Sequence, residues 1–168
     1  MDPFRNLKET LKATLNVAED LAKKTPGVKT IVKLLEILMD MMSELKDALR
    51  TLKAAEDKLK ADEEKADSDS GSSLLEYICA ALFAISAAIT ATATAIATPE
   101  PISKIAATVT AVGMIGMAIV AIIKVLEEIE KTDKNKDKLG DEKRALEKNK
   151  SALEDLKRKL KDLIDDLV

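Results

Sequence analysis

Hydrophobic residues recur along this chain at three- and four-residue steps, the period of an α-helix with one apolar face. The first stripe, Phe4, Leu7, Leu11, Leu15, Ala18 and Leu21, predicts a helix over about 3–24, with Asp2 as N-cap, Pro3 as first helical residue and Thr25-Pro26-Gly27 as its stop. A heptad follows. Ile31, Leu38, Leu45, Leu52, Leu59 and Ala66 hold one core position, and Val28, Leu35, Met42 and Leu49 the other. This predicts a helix over 28–66 whose Lys29, Lys33, Glu36, Asp40, Asp47 and Arg50 form a solvated face. The run Asp67-Ser68-Asp69-Ser70-Gly71-Ser72 breaks it, and Ser73-Leu74-Leu75-Glu76 reads as a capping box opening a third helix over 74–98. Pro99-Glu100-Pro101 must end that helix. A fourth is expected over 102–131 and a Lys/Asp loop over 132–140. Asp141 then caps a fifth, 142–167, with Leu146, Leu153, Leu160 and Leu167 seven apart and Leu156 and Leu163 in support.

Five helices joined by short connections predict an all-α fold, a five-helix up-down antiparallel bundle in one domain spanning residues 1–168. A chain of 168 residues is long enough to bury roughly 70% of its unfolded surface, so no disulfide or metal is needed to hold it. At about 1.5 Å per residue the helices measure roughly 33, 58, 38, 45 and 40 Å. The second therefore overhangs the others, and its surplus, around Asp57 to Ala66, is strongly charged.

Charge divides the chain more sharply than periodicity does. Residues 1–72 carry 13 basic and 15 acidic side chains and residues 124–168 carry 13 of each, whereas 73–123 hold only Glu76, Glu100 and Lys104. Inside that middle, Tyr77 to Thr98 and Ile105 to Ile123 are uncharged runs of 22 and 19 residues, each of membrane-spanning length. One reading is a hairpin that enters a bilayer, flanked by amphipathic arms. In this respect the segment resembles the hydrophobic hairpin of channel-forming colicin domains and other helical pore-forming toxins, a likeness of composition over about 50 residues that transfers no individual residue.

The other reading is a buried central pair, and side-chain size favours it. In the 74–98 helix Ile78, Leu82, Ile85, Ile89 and Ile96 follow a heptad, while the remainder is mostly Ala with Thr90, Thr92, Thr94 and Thr98. Only about six of its residues favour lipid, by roughly 0.3 to 0.6 kcal/mol each. Small residues suit a crowded bundle centre, and each Thr hydroxyl can bond its own preceding turn. The 102–131 helix is apolar on every side through Val109, Val112, Met114, Ile115, Met117, Ile119, Val120, Ile122 and Ile123, so it belongs in lipid or at the middle of a protein. The expected arrangement is an Ala/Thr-rich hairpin at the centre, wrapped by the three amphipathic helices.

Candidate chemistry is sparse. The sequence has no His, one Cys and no carboxylate inside the apolar runs. Cys79, with no cation near it in sequence, reads as an inert structural thiol. Asp133-Lys134-Asn135-Lys136-Asp137 matches the first three ligand positions of an EF-hand loop, but Lys138 replaces the turn glycine and Arg144 the bidentate glutamate, so calcium is not expected. Gly113-x-x-Gly116 is no phosphate loop and marks a close helix crossing. Met39, Met41 and Met42 could form a yielding binding surface, but Met42 is on the core stripe and gap-filling is the expected role. No catalytic, cofactor-binding or metal-ligating residue is assigned. A net charge of −3 without a basic cluster excludes a nucleic-acid footprint. No basic segment followed by an apolar core opens the chain, so no signal peptide is expected; the location is left unassigned, cytoplasmic if the chain is expressed in a cell.

Caps, breakers, heptads and charges agree with one another almost everywhere. In its Asp-Pro start, its Thr-Pro-Glu-Pro turn and its Lys/Glu/Asp/Leu/Ala arms the chain resembles a de novo designed helical bundle. That resemblance implies a soluble, non-catalytic scaffold, a monomer or weak homo-oligomer without cofactor or partner. The bilayer-inserting hairpin of residues 77–123 is the alternative, and a coiled-coil-like module binding a partner through the charged overhang is a third.

Overall fold

A computed structural model describes residues 28–63 and 70–167, together with Glu9, Lys12 and Ala13. The helix predicted over 3–24 lies outside the described residues apart from those three. Among the described residues the chain is helical, without a strand: α1 spans Val28–Glu63, α2 Ser70–Ala97, α3 Pro101–Glu130, α4 Asp133–Lys138 and α5 Gly140–Leu167.

The four long helices close a circuit in which α1 packs on α2 and α5, and α3 packs on the same two; α4 bridges α3 and α5. A helix with two neighbours needs a wider apolar stripe than a two-stranded heptad supplies. In α1 the expected positions Leu35, Leu38, Met42, Leu45, Leu52 and Leu59 are buried, and a third row, Leu34, Met41, Ala48 and Ala55, is fully buried beside them. Against them lie Ile78, Ile85, Ala88 and Ile96 of α2, Ile115, Ile122 and Ile129 of α3, and Leu146, Leu153 and Leu160 of α5, in one continuous core.

Specific ties fix neighbours against one another. Lys58 of α1 bonds Glu142 of α5, with 3.1 Å to its Oε2, and Asn149 Nδ2 donates to Glu44 Oε2 at 2.8 Å. The stretch after Asp57 is therefore not a free overhang at its start: Lys58 is paired and Leu59 is buried. Ser73 is not an N-cap either. It lies within α2, which begins at Ser70, and its hydroxyl donates to Glu128 Oε1 of α3 at 2.8 Å.

The expected loop 132–140 contains the short helix α4. Thr132 caps it by accepting from Asn135 N at 3.2 Å, and Leu139 N and Lys143 N continue the helical bonding into α5, which starts at Gly140 rather than after Asp141.

Candidate functional site

Among the described residues the uncharged hairpin forms two sides of the circuit. The 18-residue windows that make α2 and α3 apolar enough to cross a membrane are 28% and 44% buried, respectively. The expectation that outer helices cover the pair on every side is thus not met among the described residues. Each helix of a closed circuit has an outward face, and on α2 and α3 no described helix covers it.

On α3 the outward face is traced by Ile102, Ala106, Val109, Gly113, Met117 and Val120, positions three and four apart. Ile102 is 77% exposed, Met117 64%, Val120 53% and Val109 51%, large side chains that water would not otherwise be left to solvate. The stripe runs about 27 Å before the first charge, Lys124. On α2, Phe83 is 80% exposed. The inward face is ordinary core: Thr92 and Thr108 are buried and satisfied, their hydroxyls donating to Ala88 O and Lys104 O at 2.7 Å each. Thr90, Thr94, Thr98 and Thr110 likewise bond the carbonyl four residues back.

The tip joining α2 to α3 neutralises itself. Two prolines end one helix and open the next. Glu100 caps α3, its carboxylate accepting from Ile102 N at 3.0 Å and Ser103 N at 2.7 Å, and the Ser103 and Ile102 donors hold its carboxyl below the ordinary range. Lys104, 4% exposed, turns back: its Nζ donates to Ala95 O at 3.0 Å and Ile96 O at 2.8 Å, the last carbonyls of α2. An anion thus sits at a helix N-terminus and a cation at a C-terminus, each on the favourable pole. Sequence reasoning assigned no role to Lys104. The available signal was a lone lysine in an uncharged run, just past a proline turn and within reach of the helix before it.

Above the outward face lies an open cleft of about 610 Å³, floored by Gly113, Gly116 and Val120 of α3, walled by Tyr77 of α2 and flanked by Lys124 and Lys157. A Cβ at Gly116 would meet Lys157 Nζ at 3.2 Å, so the glycine lets that amine lie across α3; a Cβ at Gly113 would meet nothing within 4 Å. Of the glycine pair only Gly116 therefore marks a close approach, and it is that of a lysine side chain rather than of a helix backbone.

Other singled-out residues fall apart as sites. Asp133, Asn135 and Asp137 lie on helix α4, where two-residue spacing turns successive side chains away from one another; Asn135 is buried while both aspartates are exposed. Cys79 is exposed rather than structural, its Sγ 3.5 Å from Glu56 Oε2, an acidic neighbour and not the cationic surroundings of a reactive thiol. Met41 and Met42 are buried core residues, with Met39 packed at the edge. Among the described residues no group of three or more His, Cys, Asp or Glu side chains could hold a metal ion. No family model matches the chain, and neither a curated protein nor a solved structure is found to be similar to it.

Proposed function

We propose that this chain is a membrane-active helical protein that acts without catalysis, inserting the hairpin of residues 77–123 into a lipid bilayer while its charged arms stay in water. The observation that carries the reading is the uncharged outward face of α3, with Ile102, Val109, Met117 and Val120 all at least half exposed. Exposed apolar patches on soluble proteins mark interaction surfaces, and this one is about as long as a bilayer's hydrocarbon core, roughly 30 Å, is thick.

Two further features support it. A bilayer tolerates only backbones whose polar groups are satisfied within the segment; the hairpin's threonines bond their own turns, and Glu100 and Lys104 cap the tip. Helix α3 supplies most of the affinity for lipid, and α2, poor in large residues, follows it through close small-residue packing. The tip carries one lysine, whereas Lys58, Lys60 and Lys65 before the hairpin and Lys124, Lys131, Lys134, Lys136 and Lys138 after it crowd the other ends. That asymmetry keeps both arms on one side, the cytoplasmic one by the positive-inside rule.

The core shared by α1, α2, α3 and α5 favours a second, water-soluble form from which insertion starts. In it, the helices keep the up-down antiparallel order that the sequence predicts, and the protein is the non-catalytic scaffold that its regular sequence suggests. Dye release from anionic liposomes, with and without acidification, tests the reading. A dose-dependent leak is expected, and vesicles that stay sealed at every dose contradict it.

A further inference from the structure

The outward face of α3 is matched to itself. Counted from Gly113, its members lie four, seven and eleven residues away in both directions, Val109, Ala106 and Ile102 one way and Met117, Val120 and Lys124 the other. A two-fold axis through Gly113 lays this face antiparallel on that of a second copy, with Val109 level with Met117, Ala106 with Val120 and Ile102 with Lys124. At about 100° per residue the two members of each level fall on opposite sides of the centre line, so their side chains interleave. Gly113 alone meets its own copy head-on, where any side chain would collide with its mate. Among the described residues nothing else asks for a glycine there. Its φ is not positive, a Cβ on it would meet nothing within 4 Å, and a glycine inside a helix is less stable than alanine.

We infer that in water the protein pairs with a second copy of itself through this face, antiparallel about Gly113. The inference goes beyond insertion, since it names what covers the face away from a bilayer, and insertion then requires the pair to part. Lys104 is turned inward to Ala95 and Ile96, and the face carries no charge from Ile102 to Val120, so the copies meet without stripping water from an ion. Charges stand at its margins. Lys124 comes level with Ile102, its stem over that side chain and its amine in water. Lys157 reaches α3 at Gly116, about 60° off the centre line, at the rim where interfaces stay wet. A parallel pairing would instead set Lys124 beside Lys124. Tyr77, Ala80 and Ala84 of α2 line the same cleft as Gly113 and Met117, so the face is two helices, or about 20 Å, wide. Over a stripe about 27 Å long that is roughly 540 Å² from each copy and about 1,100 Å² in all, just above what a specific interface requires.

Sedimentation equilibrium of the full chain without detergent is expected to show monomer and dimer exchanging with a dissociation constant on the order of 10 µM, as so small an area supports. Gly113→Leu, which has room within its own chain, should weaken pairing at least about tenfold while circular dichroism and dye release are retained. Cysteines in a Cys79→Ser background, under mild oxidation, read the register. Gly113→Cys stands on the axis and should form a disulfide between copies, because helices packed about 8–10 Å apart bring two such Cα atoms within reach. Ile102→Cys, whose two copies stand roughly 33 Å apart in this register, should form none. A parent protein that sediments as a monomer at about 100 µM overturns the inference. Undiminished pairing in Gly113→Leu overturns it too, as does a disulfide at Ile102→Cys that forms as readily as at Gly113→Cys. Dye release by a protein that stays monomeric in water would reject the pair and keep the inserting hairpin, whereas a dimer that never releases dye would keep the pair and reject insertion.

Discussion

Lys104 is the residue on which the hairpin's closure turns. A lysine ammonium buried among apolar side chains costs several kcal/mol unless its hydrogens are bonded, and here the carbonyls of Ala95 and Ile96 take two of them. Lys104→Met keeps the stem and removes the donor, leaving those buried acceptors short of a partner. The expected loss is about 1–3 kcal/mol in urea unfolding, with Lys104→Arg retaining more of the stability than Met. Glu100 makes the complementary bond at the other helix. Because Ser103 and Ile102 hold its folded-state carboxyl below the ordinary value of 4.5, its contribution is complete above that value and fades as pH falls through the lower folded one. Glu100→Gln should therefore flatten the acid limb of the stability curve and leave the neutral region with little pH dependence from this site. Ala88 is fully buried among α2's neighbours, and Ala88→Leu should overpack the core by roughly 1–3 kcal/mol, read as a lowered midpoint at unchanged slope in urea.

At the scale of one element, α3 has two apolar faces with opposite fates. Its inner residues Ile115, Ile122 and Ile129 are fully buried in the shared core; its outer ones meet solvent. The pair Met117→Glu/Val120→Glu should change folding stability by no more than about 1 kcal/mol, as substitutions on an exposed surface do, yet abolish dye release. Sequence periodicity identified the helices well where amphipathicity was strong: Leu38, Leu45, Leu52 and Leu59 of α1 and Leu146, Leu153 and Leu160 of α5 are buried where the heptads put them. It placed boundaries less well. Ser73 looks like a cap because serine followed three residues later by glutamate is a local signature, but the partner it chose, Glu128, is 55 residues away and invisible to a local rule. Leu34, Met41, Ala48 and Ala55 were missed as a core row because a two-position heptad assumes one neighbour, and α1 has two. For α3, which is apolar all round, periodicity carries no information about which side faces the protein, so its exposed stripe was not legible at all.

For the whole molecule, the partition of charge says where water must be and leaves open what the uncharged part meets. The sequence was compatible with a hairpin wrapped by its own arms or one facing lipid, and composition is equal in the two cases. Among the described residues α1, α2, α3 and α5 form a circuit in which the outward face of α3 is left uncovered. The described residues thus have a polar side, whose α1 and α5 are tied by Lys58 to Glu142 and Asn149 to Glu44, and an apolar side that ends at Lys124 and Tyr77. The most direct measurement places an environment-sensitive fluorophore on the outward face of α3, through Met117→Cys in a Cys79→Ser background, and adds anionic vesicles. A blue-shifted emission quenched by nitroxides on the lipid chains is the predicted result. Emission that stays water-like, while the protein remains folded and the vesicles are in excess, would contradict the inserting hairpin.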